Sequence, residues 1–181
     1  MTKESTLVVR DVLGPMPSDG SAVVFLLTQY GKVFGLSSSL SDADACHKSL
    51  AGESDNGPSS YQYMVDLIKV LGLELADVRL EISGEAPYSR LIFKHSHHGK
   101  DYRIVSPNPM MAVNFSMAAK RPLVATEQMV SSRADILTVY GNLKAEFGAL
   151  WPLSAIKYSD QLQVLSELMD GVSCRTKSKA S

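Results

Sequence analysis

Four residues of the type that holds metal ions lie close together in this sequence: His95, His97, His98 and Asp101. Imidazole nitrogens and carboxylate oxygens bind zinc and related cations. The same stretch, His95-Ser96-His97-His98-Gly99-Lys100, also reads as the connection between two strands, where polar residues are exposed in any case. In extended chain His95 and His97 share one face, while His98 points elsewhere or sits in the turn. The expectation is a solvated hairpin tip, with these four residues as the candidate ligands should it hold a metal.

Other chemistry-bearing groups are scattered. Asp42, Asp44 and His47 sit on consecutive turns of one predicted helix, and a carboxylate beside an imidazole can do acid–base work. Acids near a helix N-terminus also stabilise its positive dipole end, so capping is the expected role. Asp66, Glu74 and Asp77 are candidate metal carboxylates, although Asp66 falls on the polar side of its helix. Glu81 and Glu85 flank a predicted turn and read as sheet-edge solubilisers. Lys94, Lys100, Arg103, Lys120 and Arg121 would form a patch for nucleic-acid phosphates if the hairpin meets the end of the following helix.

Predicted elements must position these groups. The chain has 181 residues, 45% of them hydrophobic and 20% charged, which is globular composition with material for a core. Its net charge of -1 shows no overall basic character, whereas nucleic-acid binders carry at least a basic face. No apolar run is long enough to span a bilayer, and the first 20 residues lack a basic start followed by an apolar stretch. Cys46 and Cys174 are too few and too far apart for a disulfide framework. Reduced thiols in a cytoplasm are the expectation.

Residues 5–12 and 21–29 read as strands rich in β-branched residues. Tyr30-Gly31-Lys32 turns the second into Val33, Phe34, Gly35 and Leu36 as a hairpin. Gly14, Pro15, Pro17, Asp19 and Gly20 mark a turn, and residues 52–59 a polar loop. Ser41-Asp42-Ala43-Asp44 resembles a capping box opening one helix. Ser59 or Ser60 caps a second, whose stripe is Tyr61, Met64, Val65, Ile68 and Leu71, and Gly72 stops it. Strands over 77–83, 88–94 and 101–105 form an antiparallel meander. Asn108-Pro109 opens a helix to Ala119 whose Met110, Met111, Phe115 and Met117 read as core, with a subunit interface as the second reading. Pro122-Leu123-Val124-Ala125 reads as a short edge strand. Beyond Glu127, Ile136, Tyr140, Leu143, Phe147 and Leu150, then Leu162, Leu165, Leu168 and Met169, predict a helical hairpin interrupted at Trp151-Pro152.

This order resembles the bifunctional nuclease family of bacteria and plants. The residues that carry the likeness are Val23-Val24-Phe25-Leu26-Leu27 followed by Lys32-Val33-Phe34, the stretch over 60–78, and Tyr88-Ser89-Arg90-Leu91-Ile92-Phe93. Ser106-Pro107-Asn108-Pro109 before a helix and the closing Arg121-Pro122-Leu123-Val124-Ala125 complete it. The resemblance implies a DNA or RNA phosphodiester hydrolase, with a divalent metal as its cofactor if that activity holds. At the family's polar positions this chain differs. Ser60-Tyr61-Gln62 stands where the family has Thr-His-Asp, and of Arg-Pro-Ser-Asp only Pro107 is kept. Hydrolysis near neutral pH needs a metal or an acid–base pair to activate water. The loss of ionisable side chains points to a degenerate site.

The expected architecture is therefore α+β: a mixed, largely antiparallel sheet packed with helices, plus a C-terminal helical hairpin. Residues 1–130 form the nuclease-like domain, 131–174 a helical extension and 175–181 a disordered tail. Two functions are open: a nuclease of this family, or a non-catalytic module that forms homo-oligomers or binds a partner.

Overall fold

The computed structural model describes residues 4–13, 21–51, 58–97 and 99–133. The turn at 14–20, most of the loop at 52–59, His98, Cys174 and everything predicted beyond residue 133 lie outside the described residues. The elements are β1 (Glu4–Leu13), β2 (Ala22–Thr28), β3 (Val33–Ser38), α1 (Leu40–Ala51), α2 (Ser60–Val70) and β4 (Leu73–Ser83). Then follow β5 (Ala86–His95), β6 (Asp101–Ser106), α3 (Pro109–Ala119), β7 (Leu123–Thr126) and α4 (Glu127–Ser131). They build the expected α+β fold around one seven-stranded sheet of order β3-β2-β1-β7-β4-β5-β6. Every pairing is antiparallel except β4 with β7.

The strand expected at an edge lies instead at the centre. β7 pairs with β1 on one side and β4 on the other, joining the β1–β3 half to the β4–β6 meander. Proline argued for an edge because it lacks an N–H to donate. The strand begins at Leu123, however, so Pro122 stands outside the ladder. Leu123 and Ala125 are buried there.

β4 also starts earlier than its pattern suggests. Ala76 is the extra residue of a bulge between Leu75 and Asp77, which breaks the period-two alternation. Gly72, at φ +73°, makes the turn from α2 directly into Leu73.

One sheet face carries Leu7, Val24, Leu26, Val78, Leu80, Leu91 and Phe93 into the core against α3, whose Met110, Ala112, Val113 and Phe115 are buried. The methionine-rich helix is thus core. On the opposite face of β4 and β5, ion pairs replace apolar packing. Arg79 bonds Glu4 and, at 2.5 Å, Asp77, while Arg90 bonds Glu81 at 2.5 Å and Tyr88 donates to Glu81 at 2.6 Å. Glu81 is therefore a paired group on an interior strand, not an edge solubiliser. The Glu85 carbonyl accepts from Arg133 at 3.2 Å.

α2 divides its apolar stripe. Val65 is buried and Tyr61 and Ile68 pack on the core, but Tyr63, Met64, Leu67, Val70 and Leu71 are exposed. Among the described residues no helix is long and apolar enough to cross a membrane.

Candidate functional site

The first turns of three helices meet at one carboxylate. α1 opens at Ser39, two residues before the expected capping box. The Asp42 N–H donates to Ser39 Oγ at 3.2 Å, and Ser39 Oγ donates back to Asp42 Oδ2 at 3.0 Å. Both Ser-x-x-Asp registers were available in sequence; the contacts made by Asp42 favour the earlier one. α2 begins at the N-cap Ser59, whose hydroxyl accepts from Gln62 N at 3.2 Å. That places Tyr61 in the first turn, where its hydroxyl donates to Asp42 Oδ1 at 2.6 Å. α3 is capped by Asn108, as expected, with Oδ1 accepting from Met110 N at 3.0 Å. The Nδ2 of the same residue donates to Asp42 Oδ2 at 2.9 Å. One acidic group thus accepts from side chains at the starts of three helices.

A second layer fixes the cluster. Asn114, buried in α3, donates from Nδ2 to the Asp42 carbonyl at 3.0 Å, and its Oδ1 is buried with no hydrogen-bond partner among the described residues. Ser89 of β5 is fully buried. It accepts from Ala112 N at 2.8 Å and donates to the Asn108 carbonyl at 2.7 Å, tying the start of α3 to the sheet. The Tyr61 ring meets Phe115 edge-on with centroids 5.4 Å apart. Burial, and then the bond to Asp42, push the Tyr61 hydroxyl well above its ordinary pKa, so it stays protonated as a donor.

A cavity of about 360 Å³ opens at the other end of α2 and α3. Val65, Ile68, Leu75 and Phe93 give it an apolar lining, and Lys69, Glu74, Ser96 and Arg121 add polar groups. Arg121 is ion-paired to Glu74.

The other candidates are dispersed. His95 ends β5 and His97 follows it. Their rings lie 5.9 Å apart, and the His97 N–H donates to His95 Nδ1 at 3.1 Å. Asp101 stands on β6 opposite Lys94, and Lys94 stands opposite Glu74. The hairpin and the end of α3 do meet there, with Lys94 and Arg121 both adjoining Glu74, so acids alternate with the bases. Arg103 is exposed on β6 opposite Ile92, Lys100 is exposed at its start, and Lys120 is the left-handed C-cap of α3. Asp66 interacts with Gln62 and Lys69, and Asp77 with Arg79. Asp44 pairs with Lys48 at 2.7 Å. Exposed Pro107 immediately precedes the Asn108 cap. Among the described residues no group of three or more His, Cys, Asp or Glu could hold a metal ion. Cys46 is a buried free thiol whose pKa burial pushes up to about 12.

Sequence reasoning reached the two motif segments over 60–62 and 106–109 through resemblance. It weighed Asp42 for acid–base work beside His47 and favoured capping, and it passed over Asn114. The available signal for Asn114 was a lone amide on an otherwise apolar helix face. A scan against models of known families finds no match to this chain, and a search of curated proteins finds no significant similarity.

Proposed function

We propose that this chain is a divergent bifunctional-nuclease-type domain in which the polar site has become a structural clasp, so that it serves as a non-catalytic binding module. The supporting observation is a convergence. The two segments singled out by the resemblance, one holding Tyr61 and the other Asn108, both bond to Asp42, which lies 19 residues from the first and 66 from the second. A relic of a shared polar site would bring such segments together.

The groups gathered there suit holding more than hydrolysis. Asp42 is the one ionisable acid of the cluster, and both of its oxygens already accept protein donors. Tyr61 keeps its proton, so it cannot act as a base near neutral pH. The divalent metal implied by the resemblance does not fit this donor set, since a hard cation needs several free oxygen ligands. The free, unreactive thiol of Cys46 suits the reducing cytoplasm in which we place the protein.

The test is incubation of purified protein with labelled single- and double-stranded DNA and RNA, in Mg²⁺, Mn²⁺ or EDTA, beside an Asp42→Asn variant. Wild type and variant are expected to leave every substrate equally intact. Metal-dependent cleavage by the wild type that Asp42→Asn abolishes would restore the hydrolase reading.

A further inference from the structure

β6 is a bare edge. It lies at the end of the sheet with β5 as its single neighbour, and the first five of its six residues are exposed. Three of those are apolar: Tyr102, Ile104 and Val105. The other edge strand, β3, has four of six residues buried. Sheet edges in native proteins are guarded by prolines, bulges, covering elements or charge, because an open ladder templates another strand. The paired span of β6 has no proline, and its register with β5 runs without a bulge.

Backbone direction fixes which groups are on offer. The His95 N–H donates to the Lys100 carbonyl at 3.1 Å, so Lys100 faces β5. Antiparallel ladders alternate. The N–H and C=O groups of Asp101, Arg103 and Val105 therefore point off the free edge.

The charges on that edge are self-complementary. A guard of one sign would repel a second copy, but Asp101 and Arg103 have opposite signs and sit two residues apart on the same face. When two identical strands pair antiparallel in one continuous sheet, the dyad that keeps most of β6 paired passes through Tyr102, Arg103 or Ile104. Through Ile104 it sets Arg103 opposite Val105 and leaves both charges without an opposite partner. Through Arg103 it sets like charges opposite each other. Through Tyr102 it sets each Asp101 opposite the other copy's Arg103, and Tyr102 against its own counterpart. Opposite charges and aromatic pairs are the favourable cross-strand neighbours.

We propose that two copies of this chain join edge to edge along β6, antiparallel about Tyr102, so that their seven-stranded sheets run together. The contact is isologous and closes on itself, giving a dimer and not a fibre. It is independent of the Asp42 reading, and the nuclease assay has no bearing on it.

Sedimentation velocity of the full chain across a concentration series tests it. Wild type should dimerise. Arg103→Asp and Asp101→Arg should each weaken dimerisation by about tenfold or more. The double variant Asp101→Arg/Arg103→Asp restores opposite charges and should recover wild-type association. Circular dichroism should be unchanged in all three, since both side chains are exposed. In a Cys174→Ser background, Tyr102→Cys should give a disulfide-linked dimer under mild oxidation, because paired residues on a dyad bring their Cα atoms within about 6 Å. Lys100→Cys should not. A monomeric wild type, a dimer indifferent to the single charge reversals, a double variant that stays monomeric, or Tyr102→Cys chains that do not link would each overturn the proposal.

Discussion

Removing the Asp42 carboxylate should weaken the fold at the point where three helices start. The bond from the Tyr61 hydroxyl is partly buried and charge-assisted, which makes it worth about 1.5 kcal/mol. Those from Ser39 and Asn108 are exposed to water and worth about 0.5 kcal/mol each. Losing an acid from the first turn of α1 costs another ~0.5 kcal/mol. Asp42→Ala is therefore expected to destabilise by about 3 kcal/mol, with partial solvation of the vacated space setting the lower end. Tyr61→Phe keeps the edge-on contact with Phe115 and removes the hydroxyl alone, so it should cost about 1.5 kcal/mol in the wild-type background. In the Asp42→Ala background it should cost about 0.5 kcal/mol, since only the hydroxyl's contact with Asn114 remains, giving a coupling energy of about 1 kcal/mol. Urea denaturation followed by circular dichroism reads all four corners of the cycle, with an unchanged m-value as the control. A coupling energy below about 0.3 kcal/mol, or an Asp42→Ala variant as stable as wild type, would refute the clasp.

Two further outcomes follow from burial. Ser89→Ala leaves the Ala112 N–H and an Asn108 carbonyl bond without their partner in a fully buried place, and should cost about 1–3 kcal/mol in the same urea assay; a loss below about 0.5 kcal/mol would show that the start of α3 does not depend on the sheet. Folding raises the Cys46 pKa from 9.0 to about 12, so the stability gained from burying the neutral thiol is present below pH 9.0 and is lost as the pH rises toward 12. Stability should fall by about 1.4 kcal/mol per pH unit for this group across that window. Cys46→Ala should flatten the alkaline limb by one proton, and an unchanged slope would argue against it.

What could be read along the chain was local. Alternation and β-branching gave the strands of the meander and the hairpin at Tyr30-Gly31-Lys32, and Asn108-Pro109 gave the start of α3, because a cap or a tight turn is decided by a few neighbouring residues. The α+β class followed from the order of those elements. The centre of the sheet could not be read this way. β7 is four residues long, and its position depends on simultaneous pairing with β1 and β4, which are distant in sequence. The Asp42 cluster escaped for the same reason. Ser39, Asp42, Tyr61, Asn108 and Asn114 are each ordinary capping or helix residues in their own segments. Packing of α1, α2 and α3 on one sheet face is what brings their donors to a single carboxylate. Short-range hydrogen bonds and turns are written into sequence; the meeting of residues 66 and 72 positions apart is a property of the folded chain.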